Sequence, residues 1–120
     1  MEEITEKEIE FLLFVNASEE SYLKDVASDI GKWNCDKTVV VEIIKELVLQ
    51  DFLDLGKFTL EDSVDLQKEK ALETITSWEN MQTSMLILFL KEKGIERWNS
   101  DTFDWGITEE RKEYLVFFKK

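Results

Sequence analysis

A chain of 120 residues, 43% of them apolar and 12% aromatic, has the size and the side chains for a single domain over 1–120 with a substantial core. Its 27 acidic groups against 15 basic ones give a net charge of −12 at pH 7, a field that repels nucleic acid and anionic lipid and speeds encounter with basic proteins. The absence of histidine and a lone cysteine, Cys35, exclude an internal disulfide, a thiolate zinc site and the commonest general base.

No stretch of eighteen apolar residues is present to span a bilayer. The opening Met-Glu-Glu-Ile-Thr-Glu-Lys-Glu lacks the apolar segment of a secretory signal, so a cytoplasmic location is expected. There is no proline, and the four glycines, Gly31, Gly56, Gly94 and Gly106, fall near plausible element boundaries.

Thr5 with Glu8 forms a capping box, and Ile4 with Ile9 can staple the start of a first helix. Ile9, Leu12 and Leu13 share one face that Phe11 and Phe14 widen, which predicts burial on more than one side. Residues 16–20 read as a turn. Tyr22, Leu23, Val26, Ala27, Ile30 and Trp33 then repeat at helical spacing. Asp36 is a good N-cap for a third helix, in which Val40, Ile43, Ile44, Leu47 and Val48 follow the amphipathic pattern.

After Gln50 the period shortens, and Phe52, Leu53 and Leu55 suggest a strand. A polar, acidic stretch to Asp65 follows. Residues 70–81 can form a helix with Ala71, Leu72, Ile75 and Trp78 on one face. Met85-Leu86-Ile87-Leu88-Phe89-Leu90 is apolar all round; the lysines and Gly94 that follow it favour a buried helix over a strand. Phe103-Asp104-Trp105-Gly106-Ile107 alternates like a short strand, and Thr108-Glu109-Glu110 opens a last helix docked by Tyr114, Leu115, Phe117 and Phe118.

Two phrases resemble a winged helix-turn-helix domain with an insertion in its wing. Ile44-Lys45-Glu46-Leu47-Val48-Leu49-Gln50-Asp51-Phe52-Leu53-Asp54-Leu55 is similar to the run from a recognition helix into the first wing strand. Trp105-Gly106-Ile107-Thr108-Glu109-Glu110-Arg111-Lys112-Glu113-Tyr114-Leu115 is similar to the exit from the second wing strand, without the glycine usual after the threonine. The expected fold is therefore mainly α (α+β): three N-terminal helices, a short two-stranded hairpin with a helical insertion, and a C-terminal helix. The resemblance implies DNA binding, yet the third helix offers Lys37 and Lys45 against Asp36, Glu42, Glu46 and Asp51, and the chain's arginines are Arg97 and Arg111 alone.

Catalytic motifs are missing: there is no phosphate-cradling glycine loop, and Cys35 has no histidine to activate it. Carboxylate pairs such as Asp62 with Asp65, or Asp101 with Asp104, lack the pattern of a calcium loop and read as solvated acidic loops. Neither a cofactor, a metal nor an enzymatic activity is expected. Trp33 and Trp78 sit at apolar helical positions and read as core, whereas Trp98 and Trp105 lie among charges and are either core or interface anchors.

In general character the chain resembles the small acidic immunity proteins that bacteria pair with toxins. That resemblance implies a basic protein partner, a toxin or nuclease whose active site is covered, bound by a monomer or weak homodimer. Nucleic acid and membrane are not expected partners. A phage-encoded inhibitor of a nucleic-acid enzyme would use the same physics, and a winged-helix regulator acting through protein contacts, or a subunit of a larger assembly, are the other readings. Candidate contact residues are Glu61, Asp62 and Asp65, the segment of Trp98, Asp101, Asp104 and Trp105, and Glu42 and Glu46 on the third helix.

Overall fold

The computed structural model describes residues 2–58, 63–65 and 68–117. The first helix, α1 (Glu6–Ser18), starts where the capping box sets it: Thr5 Oγ1 accepts the Glu8 N–H at 3.2 Å, and Glu8 Oε1 accepts the Thr5 N–H at 2.9 Å. Every residue of α1 from Phe11 to Ala17 is buried, so this helix has no solvent face along that stretch.

The helix overruns the turn expected at 16–20 because Asn16 finds partners inside it. Its Nδ2 donates to the Leu12 carbonyl at 2.9 Å and to Asp29 Oδ2 at 3.0 Å, while Asp29 Oδ1 pairs with Lys32 at 3.2 Å. This polar link ties α1 to α2 (Leu23–Gly31), which buries Leu23, Val26, Ala27 and Ile30. Asp36 Oδ1 accepts the Thr38 N–H at 2.9 Å and opens α3 (Lys37–Leu49), as its sequence predicts.

Asp51, in the left-handed region at φ 65°, turns the chain from α3 into β1 (Leu53–Phe58). This strand is the middle of a three-stranded antiparallel sheet, with β2 (Ser63–Asp65) on one side and β3 (Ile87–Leu90) on the other. The register Leu53↔Leu90 and Leu55↔Leu88 aligns buried leucines of β1 with β3. Between β2 and β3 the chain forms α4 (Lys68–Thr74) and α5 (Trp78–Thr83), the helix expected at 70–81 divided where Ser77 Oγ accepts the Asn80 N–H at 3.1 Å and caps a new start. The chain closes with α6 (Glu92–Trp98) and α7 (Glu109–Phe117). The architecture is mainly helical α+β, with N-terminal helices, a helical insertion between paired strands, and a C-terminal helix.

Three further local expectations are corrected. Residues 85–90 contribute strand β3, not a helix, because partners flank them on both sides: β1 on one, and on the other Ser21 and Leu23, whose backbones make the bonds Leu88 N–H to Ser21 O (2.9 Å) and Leu23 N–H to Leu86 O (2.8 Å). Residues 103–107 form no strand, and Gly94 does not end an element. It lies buried inside α6, where a Cβ would collide with the carbonyl oxygen of Phe52; its absence lets the helix rest directly on backbone.

Gly94→Ala is therefore expected to destabilise the fold by about 1–3 kcal/mol through overpacking. Urea unfolding checks it, since helix propensity alone would make the same change stabilising.

Candidate interaction site

The segment after α6 is held by short-range bonds in place of a ladder. Ser100 Oγ accepts the N–H groups of Thr102 (3.3 Å) and Phe103 (3.1 Å), and Asp104 Oδ1 accepts the Gly106 N–H at 2.8 Å. Gly106 has φ +71°, and a Cβ on it would lie 2.8 Å from Lys7 Cδ and Nζ. The positive φ favours glycine there, whereas the flexible Lys7 side chain could move aside.

Arg97 organises the aromatic residues of this segment. Its guanidinium lies 3.8 Å from the centre of the Phe52 ring and 4.4 Å from that of Phe103, and it pairs with Glu10 at 2.9 Å. Phe103 meets the Trp105 ring edge-on at 4.7 Å, and Trp105 packs in the same way on Phe14 at 5.0 Å and Phe11 at 5.6 Å. Trp98 closes the group at 5.9 Å from Phe11.

A surface pocket of about 440 Å³ lies over this group, bounded by Trp98, Asp101, Asp104 and Trp105 and, from α7, by Glu109 and Lys112. Four of the contact residues expected from sequence thus come together. Asp101 and Asp104 are exposed, and the two tryptophans are half-buried against the core, so their rings are walls of a pocket and not projecting anchors. Lys112 Nζ pairs with Glu109 at 3.1 Å and lies 6.0 Å from the centre of the Phe11 ring. An ammonium group thus already sits between carboxylate and aromatic ring at this place.

Glu42 and Glu46 are not part of the pocket. Both are exposed on α3, Glu46 accepting a hydrogen bond from Gln50. Asp65 ends β2, opposite Gly56 in the register, while Glu61 and Asp62 lie outside the described residues. Trp33 is buried and Trp78 packs against the core. Cys35 is half-buried with Lys37 Nζ 3.7 Å from its sulfur; the same ammonium reaches the carbonyls of Trp33 and Cys35 at 3.3 Å. No group of three or more cysteine or acidic residues among the described residues is placed to hold a metal ion. No helix among them is long and apolar enough to cross a membrane.

Sequence reasoning missed Arg111, which fastens α7 beside the pocket. Its guanidinium pairs with Glu8 and Glu2 and donates to the Glu3 carbonyl at 3.3 Å, and Tyr114 Oη donates to Glu2. Burial pushes the Glu8 carboxyl up, but hydrogen bonds from Arg111 and from the Thr5 N–H outweigh it and hold the group below the ordinary carboxylate range. Glu2 is held low by Tyr114 and then Arg111; the bonds to Glu8 and then Glu2 raise the Arg111 pKa, and the bond to Glu2 raises that of Tyr114. The partners are more than a hundred positions apart in the chain, which leaves no local signal to find.

Compared with known proteins, the chain matches no family model, no curated protein and no solved structure.

Because the folded pKa values of Glu2 and Glu8 are depressed, their contribution to stability is present above the unfolded carboxylate value, about 4.3, and is lost as pH falls through the folded values. Glu8→Gln should flatten the acid limb of the stability curve measured by urea unfolding between about pH 5 and pH 2; an unchanged acid limb would remove Glu8 from the account.

Proposed function

We propose that this protein is an acidic inhibitor that binds a basic protein, a toxin such as a nuclease in the first instance, and occludes its active site. The observation that carries the reading is the pocket in which Asp101, Asp104 and Glu109 present a mostly polar, acidic lining over half-buried aromatic rings. Carboxylates there stand in for the phosphates of the partner's substrate and pair with an inserted Lys or Arg side chain, whose stem meets the ring edges. Glu109 is largely exposed, so its bond to Lys112 exchanges readily for one to an incoming cation. The net charge of −12 steers the encounter.

A nucleic-acid-binding role on a winged-helix plan has less support. α3 packs against α4 and α5, Lys37 is engaged with carbonyls and lies 5.3 Å from the Trp78 ring, and Glu42 and Glu46 face solvent from the same helix.

The test is to isolate the partner from source cells, purify it, and measure both inhibition and association rate. The expected outcome is stoichiometric inhibition of a basic protein, an association rate that falls about tenfold or more as salt rises, and a slower rate for the pair Asp101→Asn with Asp104→Asn. An acidic partner, or a double variant that binds and inhibits as the wild type does, would refute the reading.

A further inference from the structure

α7 is nine residues long and, among its described residues, buries a single side chain, Leu115. A helix that short is marginal by itself, so its attachment decides whether it stays in place. Beside the apolar seating of Leu115 and Val116, that attachment includes a polar clasp: Arg111 to Glu2, Glu8 and the Glu3 carbonyl, and Tyr114 to Glu2. Tyr114 also lies against Trp33, with ring centres 5.9 Å apart, and Lys112 lies over Phe11. Phe103 and Trp105 anchor the preceding segment to the core, but its last residues, 106–108, have no ladder or helix to resist a swing and begin at Gly106 in the left-handed region. The elements behind α7 are anchored differently: α1 is buried at every residue from Phe11 to Ala17, and α3 buries five side chains.

We propose that α7 is a strap, fastened by Arg111, that opens as a unit while α1, α2, α3 and the sheet stay folded. Opening carries Glu109 and Lys112 away from the pocket and uncovers Phe11 and Trp33, which are 5% and 4% exposed when the strap is closed. The site thereby has two forms, a closed one with an internal ammonium in place and an open one with a wider aromatic surface. The existence of the strap is independent of the proposed inhibitor role; only the consequence for partner binding rests on that reading.

Native-state hydrogen exchange of the free protein tests the strap without any partner, so its failure is distinguishable from failure of the inhibitor reading. The amides of 112–117 are expected to exchange at least about tenfold faster than those of 12–15 in α1, at low salt. Arg111→Met should speed the α7 amides about tenfold further and leave those of α1 unchanged, with Arg111→Lys falling between the two because a point charge replaces the fork. Exchange of α7 and α1 at one common rate in the wild type would overturn the proposal. So would a variant that accelerates both helices equally, because α7 would then open only with the whole fold.

Discussion

The structure depends on a helix whose central two turns have no face towards solvent. From Phe11 to Ala17 each residue of α1 is buried, and a helix buried all round must be enclosed by other elements. α2, α3, β3, α6 and α7 each pack against it. Phe14, completely buried, touches both Phe52 at the entry to the sheet and Trp105 in the segment beyond α6. Burying a side chain of this size is worth about 1.5–3 kcal/mol, and here one side chain joins three parts of the chain. The candidate site is thus the outer end of the core, continuous with it through Phe11 and Trp105.

Charge is arranged around that core in a particular way. Both arginines are tied inward, Arg97 between aromatic rings and Glu10, Arg111 between α1 and the N-terminal segment. Several lysines are also engaged: Lys32 with Asp29, Lys37 with backbone carbonyls, Lys91 near Asp51 and Asp54. These basic groups hold elements together, while carboxylates such as Glu42, Asp101 and Asp104 face water, as do Lys7, Lys24 and Lys70.

How much of this was legible in the sequence follows from how local each signal is. Thr5 with Glu8, and Asp36, marked the starts of α1 and α3 because a cap acts within three residues of itself. The apolar stripe of α3 was readable for the same reason. Residues 85–90 were not, since six apolar residues suit a buried helix or a strand equally, and the choice was made by Ser21, Leu23 and β1. The alternation at 103–107 imitates a strand, yet it arises because Phe103 and Trp105 turn towards Arg97 and Phe14 while Asp104 folds back on Gly106. Trp98, Asp101, Asp104 and Trp105 are neighbours in sequence; the pocket they share needs α1 beneath and α7 alongside, which only the folded chain supplies. Gly94 was read as an end signal, when its role is to let backbone meet backbone.

The stacking of Arg97 between Phe52 and Phe103 has one more consequence. Phe103 braces Trp105, Trp105 braces Trp98, with ring centres 6.1 Å apart, and each ring is held in one orientation before anything arrives. A flexible surface aromatic loses about 0.5–1.5 kcal/mol of rotamer freedom when a partner immobilises it. Here that ordering is completed during folding, so these rings have little rotamer freedom left to lose.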